Sequence, residues 1–97
     1  MRKYEMMVIF RPDLGEDGLR ESMEKIKEFI EKGGGVVEEM NDRYPWGRRE
    51  LAYEIKKFKE GYYVIYNFSL ENVNYLEELK NFLRLNNDLL RWMILRR

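Results

Sequence analysis

Five apolar residues stand at every second position between 62 and 70, namely Tyr62, Val64, Tyr66, Phe68 and Leu70, with Tyr63, Ile65, Asn67 and Ser69 between them. An extended chain sends alternate side chains to opposite faces, so this segment is a strand with one wholly apolar face. Its aromatic and β-branched content fits the same assignment. Positions 3–10 repeat the phase: Tyr4, Met6, Val8 and Phe10 point one way, and Lys3, Glu5, Met7 and Ile9 the other. Two strands that each carry an apolar even face need a cover on that side.

Two helical patterns supply it. Pro12 ends the first strand, and Asp13 followed three residues later by Glu16 predicts a capping box. Leu19, Met23, Ile26 and Ile30 then recur at helical spacing beside Phe29, with charged residues opposite. Gly33-Gly34-Gly35 closes this helix with a left-handed cap and a turn. A second stripe, Val73, Leu76, Leu79 and Phe82 or Leu83, runs to about Leu85 and is closed by Asn86-Asn87-Asp88.

Between the first helix and the 62–70 strand, a long irregular edge strand is expected. It begins at Val36 and Val37, passes Met40, is interrupted by Arg43-Tyr44-Pro45-Trp46-Gly47, and resumes through Leu51, Tyr53 and Ile55, since a proline here suits an edge. The polar stretch 56–60, followed by Gly61, predicts the hairpin tip. A last strand spans roughly 89–96. The order β-α-β-β-α-β predicts an α+β fold of the ferredoxin-like, split βαβ kind. Its four-stranded antiparallel sheet carries both helices on one face. With 97 residues, one such domain over positions 1–97 is expected, too small to enclose a deep catalytic cavity.

The chain contains no Cys and no His. Disulfides, thiol chemistry, thiolate or imidazole metal sites and histidine-based triads are therefore excluded. The acidic pairs Glu38-Glu39 and Glu77-Glu78 are solvated faces without a metal loop around them, and the glycine run follows a helix and lacks the Lys-Ser/Thr of a phosphate loop. No enzyme, cofactor or metal is expected. No apolar run or small-residue cleavage site marks the beginning of the chain, so a cytoplasmic location without membrane attachment is expected. The high charged fraction, 37%, with no Gln, Thr, Cys or His, fits the pattern of thermophile proteins.

If helices cover the even face, the other side presents Met7 and Ile9, Tyr63 and Ile65, and Met93 and Leu95, rimmed by Lys3, Glu5, Arg91 and Arg97. An exposed apolar area rimmed by charge is commonly a protein-interaction surface, and the competing assignment is a patch covered by tail residues or by long Lys and Arg stems. The last strand lies antiparallel to the first in this topology, which brings Arg96 and Arg97 beside Arg2 and Lys3. With Arg91, and with Arg48 and Arg49 on the edge strand, these are the candidate phosphate contacts. The competing assignment is a set of solvated charges answering the many glutamates. Lys56, Lys57 and Lys59 form a further basic group, whose simplest assignment is a solvated turn. The 18 basic and 18 acidic residues balance to zero, so an RNA-binding chain of this composition needs local clustering and a basic partner.

Positions 47–56 read G-R-R-E-L-A-Y-E-I-K. This block resembles the signature of the bacterial small-subunit ribosomal protein six family, in which a glycine, a basic residue, Leu-Ala-Tyr, any residue, Ile and a basic or small polar residue follow in order. Met1-Arg2-Lys3-Tyr4-Glu5 is similar to the family's opening, and Gly61-Tyr62-Tyr63 and Arg91-Trp92-Met93 fall where its later strands are expected. The resemblance implies a non-catalytic component of the small ribosomal subunit that binds the central domain of small-subunit ribosomal RNA together with ribosomal protein eighteen. It implies no small-molecule substrate. Two alternatives stand beside it. One is a domain that stacks single-stranded RNA, because Gly61-Tyr62-Tyr63-Val64-Ile65-Tyr66 loosely imitates an aromatic strand motif, although Glu60 stands where that motif wants a basic residue. The other is a ferredoxin-like ligand-binding or regulatory module.

Overall fold

The computed structural model describes residues 1–97. In chain order the elements are β1 (Arg2–Phe10), α1 (Gly15–Lys32), β2 (Val36–Asn41), β3 (Gly47–Ile55), β4 (Phe58–Leu70), α2 (Tyr75–Arg84) and β5 (Leu89–Arg96). All strand pairs are antiparallel, and the sheet runs β2-β4-β1-β5, with β3 also paired to β4. This is the split βαβ, ferredoxin-like arrangement, with five strands where four are expected. The difference lies in the edge strand, which separates into β2 and β3. β2 pairs the far half of β4, from Ser69 to Ile65, and β3 pairs the near half, from Tyr63 to Phe58. The sheet therefore stays four strands wide while its edge breaks at residues 42–46. Gly47 reopens the strand at φ 85°, and a side chain there would also stand 2.9 Å from the Asp42 carbonyl oxygen. The peptide bond before Pro45 is cis.

The even face is the core. Tyr4, Met6, Val8 and Phe10 of β1 and Val64, Tyr66, Phe68 and Leu70 of β4 are buried against Met23, Ile26 and Ile30 of α1 and Leu79 and Leu83 of α2. Each such side chain removed from water contributes about 1.5–3 kcal/mol before entropy is counted. The helices also meet each other: the Phe29 ring stacks on Tyr75 and Phe82 with centroids 5.3 and 4.2 Å away, and the Tyr75 hydroxyl donates to the Phe29 carbonyl at 2.6 Å. Gly33 has no side chain because the Tyr75 ring occupies the place of its Cβ.

Three local expectations need correction. Asp13 does not cap α1; the cap position is Leu14, without a side-chain hydrogen bond, and Asp13 instead accepts two hydrogen bonds from the Arg11 guanidinium. α2 begins at Tyr75, which leaves Val73 outside the helix and exposed. The hairpin tip is two residues long, Lys56 and Lys57, since Ile55 already pairs with Phe58. β4 thus extends through Gly61, which is needed within the strand because Ile9 Cγ2 occupies the place where its Cβ would stand.

Candidate partner and nucleic-acid surfaces

On the side away from the helices, strand register lays out the odd residues in rows. Met7 lies between Ile65 and Met93, Ile9 between Tyr63 and Arg91, and Glu5 between Asn67 and Leu95. The six apolar residues expected on this side are all there, but they are not equally open. Met93 and Leu95 are 49% and 52% exposed, Met7 and Tyr63 are half-buried, and Ile9 and Ile65 are each 6% exposed. The expectation that Ile9 and Ile65 present themselves to a partner is therefore corrected. Part of the cover comes from the segment that follows the broken edge. Leu51 Cδ2 reaches over Gly61 beside Ile9. The Trp46 ring stacks on Tyr63 at 6.4 Å, and the Arg49 guanidinium sits 5.5 Å from the same ring. Of the six, the two that remain open are thus Met93 and Leu95, both on β5.

The seven basic residues singled out in the sequence fall into separate places. Arg2, Lys3, Arg96 and Arg97 do adjoin: the Arg97 N–H donates to the Lys3 carbonyl at 2.8 Å, Arg96 pairs with Tyr4, and Arg2 pairs with Leu70. Of these four only Lys3 forms an ion pair, with Glu38 at 3.9 Å, an exposed pair of little energetic weight. Arg91 sits at the opposite end of β5, six residues and roughly 20 Å from Arg97, with its guanidinium 5.2 Å from the Tyr53 ring centre. Arg49 lies across Tyr63 on the same side. Arg48 faces the helix side, where it donates to Glu60 at 2.6 Å and to the Pro12 carbonyl at 3.1 Å. Its charge is already answered at close range.

A cleft beside the start of α1 brings Arg48 together with Arg11, Arg20, Glu16, Asp42 and Tyr62. The Tyr62 hydroxyl donates to Asp42 at 2.7 Å, and burial first, then this carboxylate, pushes the tyrosine above its ordinary pKa. Carboxylates interleave with the arginines, so the cleft offers no concentrated positive field. No three acidic side chains converge as a metal site would require, and no helix is long and apolar enough to cross a membrane. Two cations that the sequence does not single out as phosphate contacts, Lys56 and Arg84, stand beside Arg91. Nothing local signals this, because Lys56 reaches Leu89 across 33 residues and Arg84 is one of many charges on a helix surface.

Comparison with known proteins places these surfaces in context. The family model described as Ribosomal protein S6 matches residues 3–96. The small ribosomal subunit protein bS6 of Symbiobacterium thermophilum is 45% identical over 96 residues, which cover 99% of this chain and 97% of that one. Its counterpart in Clostridium novyi (strain NT) is 43% identical over 94 residues, 97% and 95% of the two chains. Among solved structures, 30S ribosomal protein S6 from Thermotoga maritima superposes with a TM-score of 0.89 at 37% identity, covering 99% of this chain and 87% of that one. An Arabidopsis thaliana protein with a TM-score of 0.57 and 12% identity, covering 100% and 93%, shares the fold alone. The chain therefore belongs to the ribosomal protein S6 family, a family of structural, non-enzymatic components of the small ribosomal subunit.

Proposed function

We propose that residues 1–97 act as one ferredoxin-like domain that binds the central domain of small-subunit ribosomal RNA cooperatively with ribosomal protein eighteen. The observation that carries this is the pairing of an exposed apolar strip, Met93 and Leu95, with unpaired cations at both ends of the same strand. A chain of zero net charge has little long-range attraction for RNA. A basic partner seated on the strip supplies the missing charge, and the cations on its margins then meet phosphates. Stacking of bases on this side has little support, since the Tyr63 ring already contacts Trp46 and Arg49.

The test is a titration of a central-domain RNA fragment with this protein, with and without ribosomal protein eighteen, at two salt concentrations. Met93→Glu and Leu95→Glu together are expected to weaken partner binding at least about tenfold, a change of roughly 1.4 kcal/mol, while thermal unfolding stays cooperative. These two positions are chosen because Ile65 is buried, so a charge there would test folding instead of docking. RNA affinity that is indifferent to the partner would overturn the proposal.

A further inference from the structure

An open cleft of about 370 Å³ lies where the C-terminal end of α2, the turn after it, the start of β5 and the β3–β4 hairpin tip meet. Lys56, Arg84 and Arg91 line it together with Asn86, Asn87 and Trp92, and no carboxylate is among the lining residues. None of the three cations takes part in any of the protein's five ion pairs. The acids nearest in sequence, Asp88 and Glu54, form no ion pair with these three cations and do not line the cleft. In a chain whose charges balance overall, three uncompensated cations around one concavity mark a local positive field.

We infer that this cleft is a binding site for the phosphodiester backbone of RNA, with Lys56, Arg84 and Arg91 as the phosphate contacts and the Asn86 and Asn87 amides as neutral donors beside them. The inference rests on the RNA-binding proposal above and extends the contact it gives to Arg91 by adding Lys56, Arg84 and the two asparagines. Backbone and not base recognition follows from the aromatics. The Arg84 guanidinium lies 6.0 Å from the Trp92 ring centre and Arg91 5.2 Å from that of Tyr53, so arginine already occupies a face of each ring that a base would need. These cation–π contacts also restrain the two guanidinium groups, each of which has N–H donors to spare for a phosphate. Arg84 is fixed further by donating to the Asn81 side-chain oxygen at 2.6 Å, and the Lys56 ammonium is held near the Leu89 carbonyl at 3.5 Å. Lysine, arginine and asparagine side chains at the end of a helix are the groups that position a protein on a sugar–phosphate chain without reading sequence.

The experiment uses the full chain with its partner and the central-domain RNA fragment, and measures how log affinity falls with log salt. Lys56→Gln, Arg84→Gln and Arg91→Gln are each expected to reduce the slope by about 0.7–0.9, one counterion-releasing phosphate apiece. The weakening should be equal on fragments whose loop bases are changed. Arg84→Lys keeps the charge and should keep the wild-type slope. Lys25→Gln, which removes an exposed charge from α1, should leave slope and affinity unaltered. Thermal unfolding of every variant separates folding from binding: an Arg84→Gln protein of lowered Tm and unchanged slope counts against the site. Salt-sensitive binding by the wild type with unaltered slopes in all three glutamine variants would overturn this inference alone. Absence of RNA binding by the wild type with its partner would overturn it and the proposed function together.

Discussion

Tyr66 sits at the centre of β4, fully buried, with its hydroxyl donating to the Met23 carbonyl of α1 at 2.9 Å. The ring fills the core, and the one polar atom it brings inside is satisfied by the helix that covers it. Ionising that hydroxyl would leave a negative charge in the core, so burial, aided by the charge of Glu24, raises its pKa far beyond the ordinary value near 10. The folded protein then holds this proton where the unfolded chain releases it. Stability from this group is complete below pH 10 and is lost as pH rises towards the folded pKa, by about 1.4 kcal/mol per pH unit. Tyr66→Phe should cost about 1 kcal/mol at pH 7 through the missing hydrogen bond, yet lose stability less steeply above pH 10. Urea denaturation of both proteins at pH 7, 10 and 11 checks this, and parallel alkaline slopes would refute it. Tyr62 and Tyr75, also raised mainly by burial, leave a residual slope in the variant. Alternation alone identifies Tyr66 as a core position, but its partner lies 43 residues away and no periodicity points to it. The same limit hides the cover over Ile9 and Ile65: their phase is legible in the sequence, the return of Leu51 over Gly61 is not.

Among the elements, the β3–β4 hairpin carries the clearest local cost. Its two tip residues, Lys56 and Lys57, have φ of 49° and 72°, the left-handed region at both central positions of a two-residue turn. Asn and Gly adopt this conformation readily, whereas an ordinary L-residue there costs about 1–2 kcal/mol. Lys57→Gly should therefore raise stability by roughly 1 kcal/mol and leave the RNA salt slope unchanged, because Lys57 does not line the cleft. Lys56→Asn should also stabilise but reduce the slope, separating the turn's conformational cost from the cation it presents. Unfolding midpoints in urea and the RNA titration test both halves; a destabilised Lys57→Gly protein would refute the account of the turn. The strong periods of β1, β4 and both helices make the ferredoxin-like order readable. Boundaries fail where a signal has two meanings. Gly61 with charged neighbours resembles a turn but lies within β4 because Ile9 needs the space, and Asp13 resembles a cap but pairs with Arg11. The break in the edge strand is visible at Pro45 and Gly47, whereas its division into two strands depends on how each half registers with β4.

For the molecule as a whole, the consequence is a division of charge that composition conceals. Eighteen cations and eighteen anions cancel, yet Arg2, Lys3, Arg96 and Arg97 gather at one end of the β1–β5 pair, and Lys56, Arg84 and Arg91 at the other. The open apolar residues Met93 and Leu95 lie on the strand between them. A partner seated on that strand leaves both basic ends to approach RNA, separated by roughly 20 Å of extended chain. This is about twice the Debye length at 0.1 M salt, so the two ends act on different phosphates and influence each other little. Their energetic effects should consequently add. The Arg2→Ala/Arg97→Ala pair is expected to lower the RNA salt slope by one to two units, roughly one for each phosphate no longer neutralised, and Arg84→Gln/Arg91→Gln by a similar amount. The fourfold variant should match the sum of the two decreases in binding free energy to within about 0.5 kcal/mol. The titration in the presence of ribosomal protein eighteen measures all four corners of this cycle. A fourfold variant no weaker than either pair would mean that losing one end already removes the contribution of both, and the arrangement of two independent ends would have to be abandoned. Additivity with intact thermal unfolding would make the sheet a rigid spacer between two phosphate-binding ends, which is how a chain without net charge can hold RNA.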